Sequence, residues 1–161
     1  MPLWEEHDWI PQTQILLNSY ARFVGEELLD RSGPAANDDE LAEQARRLFE
    51  APFVVVSHGT QDDPILNYGN AAALELWRIS IPDLLETPSR KTAEPMHRDE
   101  RQRLLERTAR DGFVDDYRGV RIATTGQRFL IERATVWNLV DETGERVGQA
   151  ATFSEWTFLN D

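Results

Sequence analysis

The stretch YRGVRIATTGQRFLIERATVWNLVDETGERVGQAATFSEWTF, residues 117–158, decides the fold. It holds three runs rich in β-branched and aromatic residues: Tyr117–Thr124, Arg128–Val140 and Val147–Phe158. Thr125-Gly126 and Asp141-Glu142-Thr143-Gly144 separate them and are good hairpin loops. Each run therefore reads as a long strand, antiparallel to its neighbour.

Working backwards, the chain turns helical. Gly112 closes a helix that starts near Arg98 and carries Leu104, Leu105 and Thr108 on one side. Thr87-Pro88-Ser89-Arg90 breaks the chain before it. Ser80 starts a short helix through Glu86, and Asn70 caps another through Arg78. Before these stand two short strands, Phe53–Ser57 and Ile65–Tyr68. Gly59 and Asp62-Asp63-Pro64 supply turn chemistry between them. Strands, then several helices, then strands is α+β organisation, not alternating βαβ.

The first third is also helical. From Pro11, residues Leu16, Leu17, Tyr20, Phe23, Val24 and Leu28 recur at three- and four-residue intervals, and Ser32-Gly33-Pro34 ends the helix. Asn37 and Glu40 resemble a capping box opening a second helix. That helix turns Leu41, Ala45, Leu48 and Phe49 inward and stops before Pro52. These stripes are too apolar to stay wet. Residues 1–51 are therefore expected to pack as an extension on a domain of residues 52–161, with a homodimer through the N-terminal helices as a further expectation.

Composition bounds the function. The 161 residues carry 29 acidic and 17 basic side chains, a net charge of −12, so phosphate attraction is absent and no nucleic-acid binding is expected. There is no cysteine, which excludes disulfides and thiolate chemistry. No apolar run suits a membrane span, and the acidic N-terminus lacks the layout of a secretory signal. Together these point to the cytoplasm, with no membrane partner.

Specific motifs narrow the reading. Ser57-His58-Gly59, Asp63-Pro64, Asn67-Tyr68-Gly69-Asn70, Pro88-Ser89-Arg90 and Asp115-Asp116-Tyr117 resemble the MEKHLA family. So do Gly119, Arg121, Thr125-Gly126, Ala134-Thr135-Val136-Trp137-Asn138-Leu139 and Gly148-Gln149-Ala150-Ala151. The similarity covers roughly residues 53 to 156. It implies a PAS-like fold: a five-stranded antiparallel sheet with a helical middle, here preceded by N-terminal helices. In plants such a domain ends class III homeodomain–leucine-zipper regulators as a sensory or interaction module. This chain carries no homeodomain or zipper, so that role does not transfer whole.

Catalytic signatures are missing: there is no nucleophile elbow, phosphate loop or metalloprotease motif. His58, at the end of a strand, reads first as a turn-stabilising residue. His97 precedes the long helix, near where haem-binding PAS domains often carry their iron ligand, but its place at the helix start favours a solvent-facing role. Light-sensing PAS domains need a reactive cysteine for flavin photochemistry. Haem and flavin are thus disfavoured and the cofactor stays open. Asp62-Asp63 and Asp115-Asp116 could hold a hard cation, yet both pairs sit at ordinary turn and cap positions.

The strand residues say more. By two-residue alternation Phe129, Ile131, Arg133, Thr135, Trp137 and Leu139 share one face. A buried arginine in that row must meet an acid, carbonyls or a ligand. The expected ligand site has Arg133 and Trp137 at its centre, with Tyr68, Arg121, Asn138 and Gln149 contributing. The alternative is that Trp137 is core and Arg133 pairs with a carboxylate. Three function classes follow: a sensory module that binds a small molecule without catalysis, a dimerisation module needing no ligand, and an α+β-roll isomerase or dehydratase using His58 or His97 with an aspartate.

Overall fold

The computed structural model describes residues 3–93 and 98–160, so His97 lies outside the described residues. The chain opens with a short α1 (Leu3–Glu6) and then α2 (Trp9–Val24). α2 stops well before Ser32, because Gly25 takes a left-handed conformation (φ 87°) that a residue with a Cβ enters only at a cost. The sequence expectation that the helix runs on to residues 32–34 is corrected accordingly. α3 (Asp38–Phe49) starts as expected: the Asn37 side chain accepts from the Glu40 N–H at 2.9 Å.

Strands β1 (Val54–His58) and β2 (Leu66–Gly69) follow, then α4 (Ala71–Trp77) and α5 (Ile81–Leu84). Asn70 does more than cap α4. It is fully buried, accepts from the N–H groups of Ala73 and Val55, and donates to the carbonyls of Leu48 and Phe53. One amide thereby joins the end of α3, the start of β1 and α4. A 3-10 turn (Ser89–Thr92) and α6 (Arg98–Asp111) complete the helical middle.

β3 (Phe113–Ile122) leaves α6 directly through Gly112 (φ 89°), so Asp115 and Asp116 are exposed strand residues and not a turn. β4 (Arg128–Val140) is the longest strand. The run expected at Val147–Phe158 is two strands, β5 (Arg146–Phe153) and β6 (Glu155–Phe158), parted at Ser154. The antiparallel sheet therefore has six strands where five were expected. Their order is β2-β1-β5-β4-β3, with β6 continuing beside β4 beyond β5.

The sheet carries two cores. On its outer face α2 and α3 cover Val55, Tyr68, Trp137, Leu139 and Ala150. Trp9, Leu16, Leu17, Leu48 and Phe49 supply the other half of that layer. The inner face packs under α4 and α6, with Val54, Trp77, Leu104, Val136 and Phe153 in its core. The N-terminal stripes are thus buried on the sheet of their own chain.

Alternation breaks along one line. Val114 and Tyr117, Ile131 and Ala134, and Phe153 and Trp156 lie three residues apart, yet each pair packs into the inner core. β3, β4 and β5–β6 each take up an extra residue at this level, as in a β-bulge. In β4 that residue is Arg133, with φ 53°. The expected single row is corrected: Phe129 and Ile131 face inward, Trp137 and Leu139 face outward, and Arg133 belongs to neither core.

Candidate functional site

Three inward polar side chains form a row across the sheet. His58 of β1 pairs in register with Gln149 of β5, and Gln149 with Asn138 of β4. They are 9%, 4% and 6% exposed. Their environments differ sharply. Asn138 donates from Nδ2 to the Thr108 carbonyl at 2.9 Å and accepts from Arg146 Nε at 3.3 Å, and its backbone N–H reaches the Gly112 carbonyl. It locks the end of α6 to the sheet. Gln149 Nε2 is buried with no hydrogen-bond partner, an arrangement that costs free energy unless something fills it.

Gln149 borders a cavity of ≈ 60 Å³ between the inner sheet face and α6, lined also by His58, Ser89, Thr92, Arg101, Tyr117 and Arg121. Arg101 rises from α6 and donates from Nη2 to Ser89 Oγ at 2.9 Å. Arg121 lies over the Tyr117 ring, 5.0 Å from its centroid. Among the described residues no carboxylate lines the cavity and none pairs with either arginine. Asp63, the nearest acid felt by Arg101, is held by Arg90 at 3.1 Å. Burial lowers the pKa of Arg101 from its ordinary value, and the Arg121 cation lowers it further. In a chain of net charge −12 this is a local positive potential, the setting that draws an anion.

The surroundings of His58 favour its uncharged form. Burial lowers its pKa, the cations of Arg101 and Arg146 act the same way, and the Gly59 carbonyl, 2.9 Å from Nδ1, and the Gln149 side chain oppose them. Asp62 and Asp63 are exposed on the following loop, so no aspartate stands beside His58 as an acid–base partner. Among the described residues no group of acids and histidines is placed to hold a metal.

Of the six residues expected at the ligand site, the structure brings together Arg121 and Gln149. Asn138 borders the same face but is fully engaged by α6 and Arg146. Tyr68 and Trp137 sit on the outer face, sealed under α2, where Trp137 Nε1 donates to the Leu16 carbonyl at 3.2 Å and Tyr68 packs on Trp9. Arg133 is at the surface, its side chain 84% exposed and 3.8 Å from Glu155. Arg101 and His58, which line the same cavity, were not among the six. The signal available for Arg101 was its place three residues before Leu104, on the same side of the helix as the apolar residues.

Beside the polar cavity lies a larger apolar one of ≈ 330 Å³, between β1–β2, α5 and the end of β3. Val56, Leu66, Trp77 and Thr92 line both. Trp77 Nε1 is the second unpartnered buried donor of this face.

Comparison with known proteins agrees with this architecture. The PAS domain of a protein from Colwellia psychrerythraea matches 74% of this chain and 96% of its own, with a TM-score of 0.62 at 14% identity. An RNA-binding light-oxygen-voltage receptor matches 80% of this chain and 36% of its own at the same TM-score and 16% identity. These likenesses fix a PAS-type fold. Among the described residues no helix is long and apolar enough to cross a membrane. In sequence, the homeobox-leucine zipper protein ATHB-9 of Arabidopsis thaliana is 22% identical over 144 residues, 89% of this chain but only 17% of that protein. The MEKHLA domain model matches residues 10–158, taking in α2 and α3 as well as the sheet, and the chain belongs to the MEKHLA domain family.

Proposed function

We propose that this domain is a cytoplasmic, non-catalytic sensory module that binds a small molecule through an anionic group, in the cleft between the inner sheet face and α6. The observation that carries the reading is Gln149: a buried amide with an unpartnered Nε2, in a cavity that also presents Arg101 and Arg121 and, among the described residues, no carboxylate. A ligand oxygen would satisfy the amide and the guanidinium groups together, and charge-assisted hydrogen bonds of this kind are the strong ones.

Native mass spectrometry of protein purified without denaturation tests for a retained ligand. A thermal-shift panel of small carboxylates and phosphates then tests the site. A ligand at a hundred times its dissociation constant stabilises the fold by about 2.7 kcal/mol. For a chain of this size that is a rise on the order of 5–10 °C. Arg121→Gln should abolish the rise, and Arg133→Met should leave it intact. Absence of any response to any anion would overturn the reading.

A second reading, a dimerisation module, draws on the groove along the outside of α2. It is a hollow of ≈ 600 Å³ lined by Ile10, Ile15, Leu41 and the β4–β5 turn. The same mass spectrum reads it, as a second copy of the chain.

A further inference from the structure

The two contiguous chambers of the inner face differ in chemistry, and the difference is informative about the ligand. The small one, ≈ 60 Å³, carries Arg101, Arg121, His58 and Gln149. At roughly 30 Å³ per heavy atom, the share a water takes in the liquid, it has room for about two or three atoms, the size of a carboxylate head. The large one, ≈ 330 Å³, presents Leu66, Ile79, Leu84 and Ile122, with Lys91 as its charged residue. By the same measure it holds about ten heavy atoms, within the usual range for small-molecule pockets. Among the described residues no acidic side chain lines either chamber. At their junction stands Trp77, whose ring packs on Phe129 and Phe153 while its indole N–H has no partner.

A polar anion alone would leave the larger chamber to water that finds few partners on its walls. An apolar molecule alone would leave Gln149 Nε2 unpartnered and give the two guanidinium charges no counter-charge. Both chambers are served by one molecule with a compact anionic head and an apolar body. We infer that the ligand is an amphipathic monocarboxylic acid of about ten carbons, its carboxylate between Arg101, Arg121 and Gln149 and its chain running past Trp77 into the chamber formed by Ile79, Leu84 and Ile122. This rests on the reading of the cleft as an anion site and adds the apolar half.

The test is a calorimetric and thermal-shift titration of the full chain with acetate, hexanoate, octanoate and decanoate below their micellar concentrations, and with 1-decanol. Affinity should rise about three- to fourfold per added methylene and level off near ten carbons. Decanol should bind at least tenfold more weakly than decanoate. Ile79→Trp, and independently Ile122→Trp, should erase the gain from chain length while keeping the response to acetate. Arg121→Gln should bring decanoate down to the level of decanol. Acetate and decanoate binding alike would overturn this inference and leave the anion site standing. Decanol binding as well as decanoate would overturn the placement of the head. No binding by any member would overturn this inference, and the anion-site reading would fall with it only if the phosphates also gave no response.

Discussion

The two faces of the sheet are built from the same strands and finished differently. The outer face, under α2 and α3, is closed. Its indole N–H finds the Leu16 carbonyl, Ser19 exchanges hydrogen bonds with the Val140 backbone, and Gln12 reaches Ser57. The inner face, under α4 and α6, holds two cavities and two of the three buried side-chain polar atoms that have no partner among the described residues. The third, the Tyr68 hydroxyl, is sealed against Trp9 on the outer side. Residual hydrogen-bonding capacity that opens onto a cavity occurs on one side only. The outer face is closed by packing, and the inner face leaves space beside unpartnered donors.

The largest effect that follows is on the outer face. Removing residues 1–50 strips the cover from Trp137, Leu139 and Tyr68, and should give insoluble or unfolded protein. Trp137→Ala, a gentler version, should cost about 3–5 kcal/mol in urea unfolding. A soluble, equally stable truncation would break the comparison.

The row of amides sharpens it. Asn138→Leu deletes a satisfied side chain, takes one of two donors from the Thr108 carbonyl and removes the acceptor of Arg146 Nε, at about 1–3 kcal/mol. Gln149→Leu deletes an unsatisfied Nε2 and should be neutral or stabilising without ligand, yet lose the thermal response to anions. Equal destabilisation by both would mean that Gln149 is structural too.

His58 gives a pH signature for the inner face. Its pKa in the folded state is lowered, chiefly by burial, from an ordinary value of 6.5. Folding then favours the neutral ring, so its contribution is present above pH 6.5 and is lost as pH falls below that value. Chemical denaturation at pH 7.5 and 5.5 should show lower stability at the acid end, and His58→Gln should flatten the difference. A fall of equal size in the variant would assign it to other groups.

The smallest effects belong to Arg133. With its side chain in water, Arg133→Met should change stability by less than about 0.5 kcal/mol. Arg133→Gly should be neutral or slightly stabilising, because φ 53° suits glycine.

Much of the fold was legible because local chemistry decided it. Asn37, Asn70 and Ser80 each cap the helix they were expected to cap, and Gly112 closes α6. The site was less legible. Alternation by two was extrapolated along β4 through a residue whose left-handed backbone nothing in its identity announces. That carried Arg133 and Trp137 into one imagined row. Arg121 and Gln149 were within reach because they lie clear of the slip. Arg101 was not, since its partners come from the Ser89 turn and β3, which only the tertiary fold brings to it. The break at Ser154 was hidden in a run that reads as continuous strand.

The slip in phase makes this sheet far less tolerant of lost residues than of changed ones. Deleting Arg133 removes a side chain that touches little, yet it leaves β4 one residue short against β3 and β5–β6 together. Two outcomes remain: Phe129 and Ile131 turn away from the inner core, or Trp137 and Leu139 turn into the cleft. A chain that tolerates methionine or glycine at position 133 should therefore fail on its deletion. Only a matching loss in all three strands would restore the register.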